Sequence, residues 1–189
     1  PWHIREEGIY SLERGRTFYT SNAGLKELKI EISNYLKRKI NVEYDYNHEI
    51  MVTVGGSEAI DLAMRAMLDP GDEVLIPQPS YVSYVPCAQL IHAVPVIIEL
   101  KEENEFRLTK QELLDAITDK TKIFAVTQIS NVLGWKNDIK SFAEICHRKG
   151  CLIVADGAQS VPHIEVDVKA LDVDFLAFSG HKMMGPMGI

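Results

Sequence analysis

Leu152-Ile153-Val154-Ala155-Asp156-Gly157-Ala158-Gln159 runs four apolar residues straight into a carboxylate, a glycine and an amide. An apolar run this short predicts a strand buried on both faces. Asp156 then falls at its carboxyl end, where an unpaired charge is costly, so a cationic partner is expected from the protein or from a ligand. The same pattern repeats on either side. Ile123–Val126 and Phe175–Phe178 read as further strands, as do Glu73–Ile76, Val94–Leu100 and the short run Met51–Val54.

Helices alternate with these runs. Thr109-Lys110-Gln111-Glu112 is a capping box that starts one through Leu113, Leu114 and Ile117. Another spans about Asp138 to Lys149 and stops at Gly150, the position of a left-handed cap. Gly55-Gly56-Ser57 opens a third, with Ile60, Ala63 and Met67 on one face, and Asp69-Pro70-Gly71-Asp72 breaks it. Leu25, Leu28, Ile32, Tyr35 and Leu36 recur at helical spacing in a fourth. The expected fold is α/β, a three-layer sandwich around a mainly parallel sheet. Residues 1–20 show no periodicity and read as an N-terminal arm or loop; residues 21–189 read as one large domain. A start without methionine and a stop at Gly188-Ile189, just after a glycine-rich turn, suggest a piece of a longer protein lacking a small C-terminal domain.

Bulk properties exclude several classes. Lys and Arg number 20 against 27 Asp and Glu, a net charge of -7, and the cations are scattered rather than striped. Neither nucleic acid nor an anionic membrane is expected as partner. No run reaches membrane-spanning length and the N-terminus is not a signal peptide, so a cytoplasmic protein is expected. Cys87, Cys146 and Cys151 fit neither a disulfide framework nor a zinc pattern, so no metal is expected.

Parallel sheets bind ligands beyond the carboxyl ends of their strands. Following the strands in turn stand Gly55, Gly56 and Ser57; Gln78, Ser80 and Tyr81; Thr127, Gln128, Ser130 and Asn131; Asp156, Gly157 and Gln159; and Ser179, Gly180, His181 and Lys182. Each group has a bland reading: Gly-Gly-Ser as a turn with an N-cap, Tyr81 as a core aromatic. Lys182, flanked by Ser179-Gly180-His181 and the glycine turn at Gly185, is expected to be crowded, which favours its neutral, nucleophilic amine. Pyridoxal 5′-phosphate (PLP) explains the groups together. Its aldehyde needs a lysine, its ring nitrogen an acidic partner, and its phosphate a helix N-terminus.

Two sets of motifs resemble the fold-type-I PLP-dependent aminotransferase superfamily. Tyr19-Thr20-x-x-Ala23-Gly24-Leu25-x-x-Leu28, Val54-Gly55-Gly56-Ser57-Glu58-Ala59-Ile60, Pro70-Gly71-Asp72-Glu73-Val74 and Pro77-x-Pro79-x-Tyr81-x-x-Tyr84 are similar to class I/II aminotransferases. Ser130-Asn131-Val132-Leu133-Gly134, Asp156-Gly157-Ala158-Gln159-Ser160-Val161-Pro162-His163 and Asp174-Phe175-x-Ala177-Phe178-Ser179-Gly180-His181-Lys182-Met183 resemble class V, the cysteine desulfurase and selenocysteine lyase group. The resemblance implies a PLP-binding large domain in which Gly56, Ser57 and Glu58 hold the phosphate and Tyr81 stacks on the ring. It further implies Asp156 on the ring nitrogen, Gln159 near the ring hydroxyl, Ser179 and His181 on the phosphate, Asn131 beside the cofactor, and Lys182 as the Schiff-base lysine. Lys182 and Asp156 are the candidate catalytic pair.

Departures from both patterns keep the reaction open. Desulfurases carry a histidine at the Tyr81 position, and class I/II enzymes an Asn-Pro-x-x-Pro-type motif where Ser130-Asn131-Val132 stands. The leading expectation is an aminotransferase-like enzyme acting on a small amino-acid substrate, a homodimer in the complete protein. The alternatives are a cysteine desulfurase or selenocysteine lyase, and an inactive PLP-fold fragment or hybrid scaffold.

Overall fold

A computed structural model describes residues 1–189. The chain divides into two compact units, one of residues 56–178 and one of residues 1–55 with 179–189. In chain order the elements are α1 (Trp2–Glu13), α2 (Lys26–Ile40), α3 (Gly55–Met67), β1 (Glu73–Gln78), α4 (Tyr84–Leu90), β2 (Val94–Glu99), α5 (Lys110–Ala116), β3 (Thr121–Thr127), α6 (Ile139–Arg148), β4 (Leu152–Asp156), α7 (Val168–Leu171) and β5 (Phe175–Ala177).

Residues 56–178 carry the whole sheet. Its five strands lie in the order β2-β1-β3-β4-β5 and every pairing is parallel. Because side chains alternate across a strand, each strand feeds two cores. Leu75, Phe124, Val126, Ile153 and Ala155 pack with Leu113 of α5 and with Ile139, Phe142 and Cys146 of α6. Val74, Ile76, Ile123, Ala125, Val154 and Ala177 pack with Ile60, Ala63 and Met64 of α3 and with Tyr84, Cys87 and Ala88 of α4. The sheet is therefore the middle layer of the expected three-layer α/β arrangement.

Local chemistry sets the helix ends. At α5 the Thr109 side chain accepts from the Glu112 N–H, and Glu112 reaches back to the Thr109 N–H, so the predicted capping box forms. Asp138 caps α6 by accepting from the Ser141 N–H. Past α6, Gly150 takes φ +77, a left-handed turn where a side chain would be strained. On α6, Ile139, Phe142, Ala143, Ile145 and Cys146 are buried, the spacing of a one-sided apolar stripe. The three cysteines are buried free thiols.

In the other unit, α2 ends at left-handed Asn41, with Lys37, Arg38 and Lys39 in the last turn, where cations oppose the helix dipole. The Ser33 hydroxyl donates to the Tyr44 carbonyl at 2.6 Å. Two expectations are corrected here. The stretch read as an aperiodic arm or loop contains helix α1, which buries none of its residues and so shows no apolar stripe. Met51–Val54 is not a strand: Met51 is 57% and Val54 74% exposed, and no sheet ladder includes them.

Candidate functional site

The strand order reverses between β1 and β3, and a parallel sheet opens a ligand crevice beyond its carboxyl ends at such a point. Within residues 56–178 several candidate side chains meet there.

Asp156 closes β4. Two residues after Val154, it faces the α3/α4 side of the sheet, where the Tyr84 ring is packed. The Tyr84 hydroxyl donates to Asp156 Oδ2 at 2.7 Å, and the Ala158 N–H donates to Asp156 Oδ1 at 2.9 Å. Asp156 is 8% exposed. Of the two sources expected for its cationic partner, the protein supplies none: no Lys, Arg or His ion-pairs with it, and both donors are neutral. Burial, with the Asp156 charge and hydrogen bond adding to it, holds the Tyr84 phenol well above its ordinary pKa, so the group stays a donor. Gly157 lets the chain pass close to Leu176 and Val161 behind the carboxylate. Its N–H donates to the Ala177 carbonyl at 2.7 Å, and a Cβ there would meet Leu176 Cδ1 at 2.8 Å.

Tyr81 and Tyr84 stand three residues apart and their rings meet edge to face, centroids 5.8 Å apart. Tyr81 is 47% exposed, and its hydroxyl shares a 2.9 Å hydrogen bond with Ser57 Oγ in the first turn of α3. Ser57, Tyr81, Tyr84 and Asp156 thus form one chain of contacts from the start of α3 to the end of β4. Tyr84 was not among the sequence candidates. Its hydrogen bond joins residues 72 apart, and the sequence marks it only as the last residue of the Pro77-x-Pro79-x-Tyr81-x-x-Tyr84 motif.

Asn131 is exposed on the loop closed by the Ile129–Lys136 bridge, and its side chain makes no hydrogen bond. Gln159 is half-buried in the turn after β4; its carbonyl accepts from His163 Nδ1 at 2.6 Å. Glu58 is exposed and, with Asp61 and Arg65, lines a cleft of about 510 Å³ between α3 and α4.

Ser179, His181 and Lys182 belong to the other unit. Ser179 is buried and leads into a single 3-10 turn, Gly180–Met183, in which the Lys182 N–H donates to the Ser179 carbonyl at 3.2 Å. The Gly180 N–H donates to the Ile189 carbonyl and the Gly185 N–H to the Gly180 carbonyl, at 2.8 and 2.9 Å. The Lys182 side chain is exposed rather than crowded, because the turn is one helical turn long and buries none of its own residues.

Chemically, residues 56–178 offer a buried carboxylate with spare acceptor capacity, a half-exposed aromatic face, and a helix start beside that aromatic. A planar cation carrying a phosphate matches all three, so the residues fit PLP.

Residues 15–189 match the family model described as aminotransferase class-V. An aspartate aminotransferase of Pyrococcus abyssi is 39% identical over 159 residues, covering 82% of this chain and 41% of the relative. A protein of Halalkalibacterium halodurans named "Probable cysteine desulfurase" is 42% identical over 147 residues, covering 75% of this chain and 36% of the relative. The solved aromatic aminotransferase from Pyrococcus horikoshii OT3 superposes with a TM-score of 0.77 at 35% identity, over 84% of this chain and 43% of that one. The chain thus spans about two fifths of the length of such relatives, 41% and 36% for the two curated ones. The family match runs through both halves, including the stretch whose motifs resemble class I/II.

Proposed function

The chain belongs to the class-V aminotransferase family, and on that premise we propose that it is part of the PLP-binding large domain of an enzyme that moves amino groups between small amino and keto acids. One observation carries the reading: a carboxylate buried at the end of a central strand, held by two neutral donors and no cation. Structural carboxylates buried this deeply normally find a cation. Asp156 lacks one because, in this reading, a protonated pyridine nitrogen supplies it.

PLP, when bound, acts as an electron sink for the substrate α-carbon. The residues' tasks follow. Asp156 keeps the ring nitrogen protonated, Tyr81 offers its exposed face to the ring, and the α3 start with Gly56, Ser57 and Glu58 takes the phosphate edge. Lys182 would supply the amine for the cofactor's aldehyde and would hold or pass a proton at the substrate α-carbon. Ser179, His181, Gln159 and Asn131 complete the cofactor's surroundings. The dimer and the cytoplasmic setting belong to this proposal; what the structure itself contributes is that no helix is long and apolar enough to cross a membrane.

Purified protein mixed with PLP tests it. A visible band should appear, borohydride should fix the label to the chain, and Lys182→Ala should abolish both. Identical spectra for wild type and variant would refute the lysine assignment. The desulfurase reading is favoured by one finding, the 42% identical relative bearing that name. Sulfide release from L-cysteine by the longer protein, without amino transfer, would establish it instead.

A further inference from the structure

Tyr84 is 1% exposed, and its hydroxyl has a single partner, Asp156 Oδ2 at 2.7 Å. The other oxygen, Oδ1, is held by the Ala158 N–H, which belongs to the same turn as Asp156 and moves with it. One donor from its own loop leaves a carboxylate free to swing about its Cβ–Cγ bond. A second donor from a different element fixes the plane. Tyr84 is that second donor, from helix α4, and its ring is anchored among Ile60, Met64, Val74, Ile76 and Val154.

We propose that Tyr84 is the positioning residue of the site: its hydroxyl sets the orientation of the Asp156 carboxylate and so the hydrogen bond this residue offers a cofactor ring nitrogen. The proposal rests on the PLP reading above for its second half only; the contact itself is independent of any cofactor. It also gives the phenol a reason to be a tyrosine. Phenylalanine would fill the same apolar pocket without burying a hydroxyl that needs an acceptor.

The test has two arms. The first uses protein without cofactor and compares the melting of wild type, Tyr84→Phe, Asp156→Ala and the double variant. Tyr84→Phe lowers the midpoint of the Asp156 protein by about 3–10 °C, because the buried carboxylate loses a charge-assisted donor. In the Asp156→Ala background the same change is neutral or raises the midpoint, since the hydroxyl there is an orphan. Equal losses in both backgrounds would mean that Tyr84 only packs, and would overturn the proposal.

The second arm adds PLP labelled with 15N at the ring nitrogen. Wild type shows the protonated signal. Tyr84→Phe moves it toward the unprotonated position and weakens PLP binding about tenfold, roughly one hydrogen bond to a charged group. An unchanged nitrogen signal and affinity in Tyr84→Phe would overturn the positioning role. If wild type itself takes up no PLP, the cofactor reading and the positioning role fall together, while the first arm still decides the Tyr84–Asp156 contact.

Discussion

Asp156→Asn separates a carboxylate kept for folding from one kept for a ligand. Asn is nearly the same shape and carries no charge; its Oδ1 can accept from the Ala158 N–H while its Nδ2 donates to the Tyr84 hydroxyl oxygen. Without cofactor, two opposing effects act on a side chain that is 8% exposed. The two hydrogen bonds lose their charge assistance, a loss of roughly 1–2 kcal/mol in total. Against this, an ion with no protein counter-charge is no longer desolvated, a relief of similar size. The unloaded protein should therefore melt within a few degrees of wild type. With PLP the balance changes. At a free concentration of about 100 Kd the cofactor stabilises wild type by about 2.7 kcal/mol, or roughly 5–10 °C for a chain of this size. Losing the ring-nitrogen partner weakens binding at least about tenfold. The same PLP concentration then gives the variant about 1.4 kcal/mol, roughly half the shift. Paired thermal scans with and without PLP read both quantities. A variant that melts far below wild type unloaded, yet gains the full PLP shift, would refute the reasoning, because Asp156 would then serve the fold and not the ligand.

Two further outcomes are expected. His147 lies between Asp174 Oδ2 at 3.0 Å and Asp172 Oδ2 at 3.2 Å, and chiefly the Asp174 hydrogen bond raises its pKa. A raised folded value means that the stabilisation is complete below the ordinary histidine value and is lost as pH climbs through the folded one. The melting difference between wild type and His147→Gln should thus be largest near about pH 5.5 and shrink by about pH 9; a difference flat across that range contradicts the bridge. At Gly185 a Cβ would stand 2.8 Å from the Gly180 carbonyl oxygen, backbone that cannot yield cheaply. Gly185→Ala should open the 3-10 turn bearing Lys182 and slow borohydride-fixed labelling by PLP about tenfold or more, while leaving far-ultraviolet circular dichroism unchanged. Labelling at the wild-type rate would show that the turn's closure does not matter to the lysine.

How far the sequence carried depended on where each signal was stored. The buried strands were legible because Ile123–Val126 and Leu152–Ala155 are unbroken apolar runs closed by polar residues, and such runs have few other uses. Capping at Thr109 and Glu112 was legible because both partners lie within one turn. Met51–Val54 has the same composition as a strand, but four residues hold too little period to show that they do not join the sheet. Helix α1 was invisible for the opposite reason, since a helix that buries nothing has no stripe. Asp156 was found as a misplaced charge, whereas its true partner was not, because a tyrosine hydroxyl reached from 72 residues away leaves no local pattern. Lys182 was recognised by motif, and its exposure could not be read from its glycine neighbours.

Both faces of β4 are apolar, so the alternation that normally fixes a strand's register is weak here. A slip of one residue would cost little hydrophobic burial, yet it would turn Asp156 to the α5/α6 side, among Phe142, Ile139 and their neighbours. Polar contacts at both ends of the strand prevent this. At the entry, Asp174 Oδ2 accepts from the Ile153 N–H at 2.8 Å. At the exit, the Gln128 N–H donates to the Asp156 carbonyl at 2.9 Å and the Gly157 N–H to the Ala177 carbonyl at 2.7 Å. Tyr84 adds a third constraint, since its hydroxyl finds a carboxylate only in the native register. Tyr84, which aims the carboxylate, thus also helps to choose the strand's alignment, so the site and the unique fold share one hydrogen bond.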